Sequence, residues 1–465
     1  MTKFNLVTDQ GILEGYLADA SNIQGHAEGL YRPTSTEEVS EIVQYCQKNA
    51  IPLTVTAQRT STTGGPVPFG GRLLSMELMN RIHSDTEVDA GVYLGEYQAE
   101  LEGKGLLFPP DPTSRNECSI GGAISCNASG ARSFRYGATR PWVEKLEVVF
   151  PNGDIQIVDR NTPIPEDWML HWTPPSVKTA AGYEPCDNLL DLMVGQEGTL
   201  GIITKAWLKI IPLPKDVLGM IVFFPSLEDC LSFVSLAKEG AQTPQNKIAD
   251  PAALNPRAIE FFDHNAMRLI RQQVDDIPEE AHCGLFMELE HDGEPDLENW
   301  FETLEETNAL VDDIILAEDQ AGREKLYVVR HAIPAGVNEI VVANGMPKVG
   351  TDFAVPDHGL AHMMEAYDSV EMEHVLFGHI GDNHLHLNFL PKTEDELAFA
   401  KEMYRELALM AVSLGGTVSA EHGIGKIKKE LLAEMLGDAV IESFRELKQK
   451  LDPNWILGRG ILFER

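Results

Sequence analysis

None of the six cysteines (Cys46, Cys118, Cys126, Cys186, Cys230 and Cys283) belongs to a Cys-x-x-Cys pair, which excludes an iron–sulfur ligand run and a zinc ribbon. Such scattered thiols are expected to be reduced and mostly buried. Basic residues are scarce, 37 Lys and Arg against 72 Asp and Glu, for a net charge of −35. A surface that acidic repels phosphate backbones, so no nucleic-acid partner is expected, and an anionic substrate would need a local cationic pocket. No apolar run approaches the length of a membrane span. The opening stretch from Met1 to Gln10 lacks the apolar core of a secretory signal. The expected location is therefore cytoplasmic, or peripheral to the membrane through a partner. Internal repeats and low-complexity segments are absent as well.

What is present is histidine. Phe377-Gly-His-Ile-Gly-Asp-Asn-His-Leu-His-Leu-Asn388 holds His379, His384 and His386, and Ser419-Ala-Glu-His-Gly-Ile-Gly425 adds Glu421 and His422. Imidazoles with a carboxylate are the ligand set of a borderline divalent metal, and a histidine in excess can work as a base. The first segment reads as a hairpin, with Val375–Ile380 and His384–Leu390 joined by a Gly-Asp-Asn turn. Side chains alternate along a strand, so His384, His386 and Asn388 share one face.

At 465 residues the chain exceeds one ordinary core, and the division expected is 1–214, 215–425 and 426–465. Ser35…Glu38 forms a capping box before a helix carrying Val39, Ile42, Val43 and Cys46. Strands are predicted over 51–56 and 72–78, with a hairpin of 145–150 and 155–158 around Pro-Asn-Gly153. Helices are predicted at about 226–240, 258–273, 295–311, 357–367, 394–414 and 427–450, and a strand over 284–289.

Arg59-Thr-Ser-Thr-Thr-Gly-Gly-Pro-Val-Pro68 is a hydroxyl- and amide-rich turn of the kind that binds phosphate, though neither a Walker loop nor a Rossmann fingerprint. Phe108-Pro-Pro-Asp-Pro112, Ser119-Ile-Gly-Gly122, Asn127-Ala-Ser-Gly130 and Gln196-Glu-Gly-Thr-Leu-Gly-Ile-Ile203 follow it. So many small residues suggest close backbone approach to a large ligand. In this order, over roughly 28–212, they resemble the flavin-binding domain of the vanillyl-alcohol-oxidase/PCMH superfamily. The resemblance implies an α+β fold that binds FAD through Thr60, Ser61, Thr62, Thr63, Gly64 and Gly65 at the pyrophosphate. Pro110, Ser119, Gly121, Gly122, Asn127, Ser129, Gly130, Glu197, Gly198, Ile202 and Ile203 would complete the site. Relatives carry glycines where this chain has Ala57-Gln58-Arg59, so Arg59 is expected to assist the pyrophosphate. The loop holds no histidine, so FAD is expected to be non-covalent.

The two histidine segments resemble the carboxyl-terminal α+β domain of the FAD-linked D-2-hydroxyacid dehydrogenases, whose members act on D-lactate, glycolate or D-2-hydroxyglutarate. The family segment Gly-His-x-Gly-Asp-Gly-Asn-x-His-x-Asn is kept except that Asn383-His384 replaces Gly-Asn. The resemblance implies that His379, His386 and Glu421 bind a divalent metal (Zn, or Mn, Fe or Co) and that His422 is the base. It assigns the substrate to Asn388, Arg330 and Lys348. His384 is then either a group behind the ligands or a family variation. Glutarate enzymes have a hydroxyl residue four positions after the arginine, where this chain has Pro334. The tail 455–460 resembles the family's closing loop near the flavin, with Gly458-Arg459 in place of Asn-Pro.

The implied chemistry is oxidation of a D-2-hydroxy acid to the 2-oxo acid. The electrons would pass to a separate iron–sulfur subunit, electron-transfer flavoprotein, quinone or dioxygen. A homodimer is left open. Two other classes compete: a metal-dependent hydrolase, which leaves the glycine loops unexplained, and a non-catalytic flavoprotein subunit of an electron-transfer assembly.

Overall fold

The computed structural model describes residues 5–465 apart from 251, 272–276, 294, 296 and 318. The helix Thr36–Asn49 starts where predicted, and Ser35 Oγ accepts from Glu38 N. It leads into a three-stranded parallel sheet in which Arg72–Ser75 lies between Gly29–Tyr31 and Leu53–Thr56. Leu53–Thr56 would be an open edge, but Leu457 from the far end of the chain bridges Leu53 there.

A four-stranded antiparallel sheet follows, in the order Glu87–Asp89, Ile202–Leu208, Val143–Val149, Ile155–Asp159. The last two strands are the expected hairpin, with Leu146 opposite Val158 and Gly153 turning at φ 88°.

The largest sheet has eight antiparallel strands. Its order is Ile315–Ala317, Asp216–Phe224, Cys283–His291, Ala258–Asp263, His374–His379, His384–Phe389 and Val349–Gly350, with Phe353–Ala354 also pairing with His384–Phe389. The predicted histidine hairpin is thus the pair His374–His379 and His384–Phe389, with His379 opposite His384.

The structure corrects several local expectations. Residues 258–263 form a strand and only His264–Ile270 is helical, while positions 272 and 273 lie outside the described residues. Ala258-Ile-Glu-Phe-Phe-Asp263 is buried throughout, and a short buried strand lacks the alternation that separates it from a helix. The helix expected at 295–311 is Glu298–Glu306, followed by a single 3₁₀ turn. Residue 296 of that span lies outside the described residues. The span 427–450 is two helices, Lys429–Leu436 and Asp438–Leu451, broken at Gly437. A 25-residue helix, Gln320–Asn344, has no counterpart in the sequence reading because Pro334 interrupts its pattern.

One apolar core runs from Val88 to Phe463 and includes side chains from all three expected divisions. A second core lies between the eight-stranded sheet and the helices His264–Ile270 and Gln320–Asn344, through Phe262, Met267, Val329 and Ile333. All six thiols are free, four of them buried. Among the described residues, no helix is long and apolar enough to cross a membrane.

Candidate active site

Three imidazoles converge from the hairpin. The ring centroids of His384 and His386 are 4.4 Å apart, and His379 is 5.4 Å and 5.7 Å from them. His379 Nδ1 lies 2.6 Å from Glu260 Oε1, and its Nε2 lies 3.2 Å from Glu421 Oε2. His386 Nδ1 is 3.0 Å from the carbonyl of Thr351, so it donates there and Nε2 is the lone-pair nitrogen. Donor atoms of His379, His384, His386 and Glu421 all lie within 4.8 Å of one another.

Glu421 Oε2 and both ring nitrogens of His384 are buried without an aligned hydrogen bond. Buried polar atoms rarely stay unpaired, and three imidazoles with a carboxylate suit a borderline divalent ion. The residues present therefore fit a metal.

Electrostatics around the cluster are set by burial and by buried partners. Burial alone would lower the pKa of His379, but Glu260 and Glu421 outweigh it and carry the imidazole up to about 9. Occupation by a divalent ion therefore requires loss of that proton. Burial, with His422 and His379 nearby, pushes His386 down to about 4. Burial opposes ionisation of Glu421, yet His379 and Lys178 hold its carboxyl well below the usual range.

Behind the cluster sits Asp352, fully buried. It accepts from Glu421 N (3.1 Å), His422 N (3.0 Å), Ser419 Oγ (2.8 Å) and Lys428 Nζ (2.6 Å). His422 stacks on His386 with centroids 5.3 Å apart, and its Nδ1 is 3.4 Å from Asp352 Oδ2. Nδ1 thus faces the carboxylate, and Nε2 lies on the far side of the ring from it. The ring is about one third exposed at 35%, whereas His379 and His384 are buried.

A crevice adjoins the histidines. Glu260, Arg330, His379 and His386 line it together with Ile221, Phe262, Ile270, Phe286, Ile333 and Phe377. Arg330 is the one Lys or Arg among the described residues lining it, and its Nη2 lies 3.3 Å from Glu260 Oε2. Lys348 and Asn388, expected beside the substrate, do not line this crevice. Lys348 Nζ donates to Asn388 Oδ1 at 3.0 Å, and Asn388 Nδ2 donates to the carbonyl of His386.

The glycine loops reach the same place from the other side. Thr63 takes a backbone bond from Lys426 N at 2.9 Å, and a side chain on Gly425 would meet Thr63 O at 2.2 Å. Glu197, at φ 54°, accepts from Ile424 N and Gly425 N at 2.8 Å each, and burial raises its carboxyl to about 7. Its side chain thus holds the Glu421–Gly425 segment, while its backbone N–H donates to the carbonyl of Ser125 at 2.8 Å.

Asp19 accepts from Gly64 N at 2.9 Å, and Lys426 Nζ donates to the carbonyls of Gly64 and Gly65. Thr60 and Ser61 are half-buried and Thr62 is exposed in the same loop. Arg59 does not extend toward that loop's amides: its guanidinium lies 4.6 Å over the Tyr16 ring and donates to Ala57 O.

Ser119 caps the helix Ile120–Ser125, leaving Gly122 exposed, while Gly121 packs against Ala90. A side chain on Gly130 would meet Asp111 O at 1.9 Å, which fixes this loop against the Pro110 segment. Asn127, at φ 49°, accepts from Arg140 N. Ser129 Oγ is fully buried without a hydrogen-bond partner, a donor suited to a polar ligand atom, so the loops fit a flavin. Gly198 (φ 73°) adjoins Val55, and Ile202 and Ile203 are buried in the second sheet.

Sequence reading missed Asp352, Glu260 and Lys178. Glu260 carried a signal, a lone carboxylate within an apolar run. Lys178 carried none, yet its Nζ lies 3.3 Å from Asp382 and 4.0 Å from Glu421.

A flavin-type fold built of glycine loops around a histidine cluster defines an FAD-linked oxidase. Residues 27–159 match the FAD binding domain family, and residues 213–462 match the FAD linked oxidases, C-terminal domain. D-lactate dehydrogenase of Anaerostipes hadrus is 33% identical, covering 98% of this chain and 94% of its own. Glycolate oxidase subunit GlcD of Bacillus subtilis is 28% identical, over 97% and 92%. D-2-hydroxyglutarate dehydrogenase of Xanthomonas citri is 29% identical, over 93% and 88%. An alkyldihydroxyacetonephosphate synthase shares the fold at a TM-score of 0.68 and 16% identity, over 97% of this chain and 81% of that one. The chain belongs to the FAD-linked D-2-hydroxyacid dehydrogenase family, with the α+β fold that its sequence implied.

Proposed function

We propose that this enzyme oxidises a D-2-hydroxy monocarboxylate of the lactate class, bearing an apolar substituent, to the 2-oxo acid with the help of a divalent metal. The contact between the two motif sets carries the reading. Thr63 and Glu197, from loops assigned to FAD, hold the segment that bears Glu421 and His422. FAD supplies a hydride acceptor, and a divalent ion held by His379, His386 and Glu421 supplies an electrophile for the substrate oxygens.

The chain does the rest. His422 Nε2 takes the hydroxyl proton, while Asp352 holds the Nδ1 proton and the ring's orientation. Arg330 offers a guanidinium to the carboxylate at the crevice wall, the local positive charge that an acidic surface otherwise lacks. The rest of the crevice is mostly aromatic and aliphatic, with Thr113 and His331 as its other polar residues, which favours an apolar substituent, and Pro334 offers no hydroxyl of its own. In this reading the flavin unit is 1–214, the substrate and metal unit 215–425, and 426–465 returns to the flavin unit. The electrons leave to a separate acceptor, since the sequence has no iron–sulfur ligand run.

Anaerobic stopped-flow mixing across a panel of D- and L-2-hydroxy acids tests this. The flavin band should bleach with D-lactate and larger apolar D-acids, at least ~10²-fold more efficiently than with D-2-hydroxyglutarate, whose second carboxylate would be desolvated in a mostly apolar lining. Equal efficiency with the glutarate would overturn the substrate class, and no bleaching with any member would overturn the activity. Prior chelation should abolish bleaching, and added Mn, Fe, Co or Zn should restore it. Unchanged bleaching after complete metal removal would reject the metal's role.

A further inference from the structure

His384 is the histidine that the reading above leaves without a task. It opens the strand His384–Phe389 on the same face as His386 and is fully buried. Neither ring nitrogen has an aligned hydrogen bond, although Nε2 lies 3.0 Å from Asp352 Oδ1 and Nδ1 lies 3.7 Å from Glu421 Oε2.

The surroundings repeat what the other two imidazoles show. His379 has one nitrogen on Glu260 and the other toward Glu421, and His386 has one nitrogen on the Thr351 carbonyl. His384 likewise has one nitrogen beside a carboxylate, Asp352, and the other toward Glu421. An outer acceptor that fixes the tautomer, with the inner nitrogen turned to a shared point, is how proteins prepare metal-binding histidines.

We infer that His384 is a fourth protein ligand, so that the metal set is His379, His384, His386 and Glu421. This rests on the metal-assisted reading above and sharpens it. Four protein ligands close a four-coordinate zinc ion, leaving no position for substrate. An ion that prefers six ligands keeps two positions, the number a hydroxy acid fills through its hydroxyl and carboxylate oxygens. The preferred ion is therefore Mn²⁺, Fe²⁺ or Co²⁺ rather than Zn²⁺.

X-ray absorption of the Co²⁺-loaded, FAD-replete protein counts the imidazoles directly, without turnover. Three are expected in the native protein and two in His384→Asn. Chelator competition should show Co²⁺ binding weakened by more than the roughly 10–100-fold typical of losing an outer partner. Retained FAD and an unchanged circular dichroism spectrum report that the variant is folded, and the native count stands by itself if it is not. Two imidazoles in the native protein, or an unchanged count in a folded variant, would overturn the assignment. Zinc that sustains flavin reduction as fast as Mn²⁺ would overturn the ion preference. Flavin reduction by a D-2-hydroxy acid with only two imidazoles counted sinks this inference alone. A protein that binds no divalent ion and ignores chelators sinks the metal reading as well.

Discussion

Replacing His422 by Asn should lower the rate of flavin reduction by a D-2-hydroxy acid about 10²–10⁴-fold, the usual contribution of a positioned general base. FAD content and metal content should stay near native, because the His422 ring is one third exposed and Asp352 accepts from the backbone N–H groups of Glu421 and His422. Asparagine keeps a polar group of similar reach but has no basic nitrogen. Stopped-flow separates the outcomes. A fall in the limiting reduction rate at saturating substrate supports the base. A change confined to the apparent substrate affinity would make His422 a positioning group instead. An undiminished limiting rate would remove it from the chemistry altogether.

The largest effect on stability should come from Asp352→Asn. Burial opposes ionisation of this carboxyl, but His422, Lys428 and His384 hold it well below its ordinary range. It is therefore charged, and Lys428, itself buried, is the cation it balances at 2.6 Å. Removing one partner of such a pair strands the other, at a cost of about 3–5 kcal/mol. Because the folded-state pKa is depressed, this stabilisation is full above the ordinary carboxylate range and is lost as pH falls through the folded value. Thermal unfolding of the FAD-bound protein at neutral pH should show the loss as a lower midpoint. The double variant Asp352→Asn, Lys428→Met should recover part of it, since no buried ammonium then remains. A midpoint within about 1 °C of native for the single variant would mean that Lys428 finds another partner and that the pair is not what holds this segment.

The histidine hairpin was legible because strand alternation and a Gly-Asp-Asn turn are local signals, and His379 opposite His384 follows from them. The Ser35 cap was legible for the same reason. Asp352 was not, because its donors come from Ser419, Glu421, His422 and Lys428, far along the chain. Glu260 was hidden by a strand buried on both faces, whose pattern could equally describe a helix. Arg330 was singled out as a residue, yet the helix that carries it was not, since Pro334 breaks the propensity pattern while tertiary packing of Val329 and Ile333 sustains the helix. Lys348 was picked out by its motif alone. The motif suggested a substrate partner, and the structure gives its ammonium to Asn388.

The bridge between Leu53 and Leu457 has a consequence for how the protein is made. Leu53 N donates to Ile456 O, and Gly458 N donates to Leu53 O, so one rim of the first sheet is finished by residues near the end of the chain. Buried Lys448 ties that returning segment to the carbonyl of Thr199, beside Gly198. While translation is under way, the amino-terminal third therefore has an unfinished sheet and no Glu421–Gly425 segment against its loops. Cofactor capture then waits until residues 421–458 have been made, whatever the state of the earlier loops.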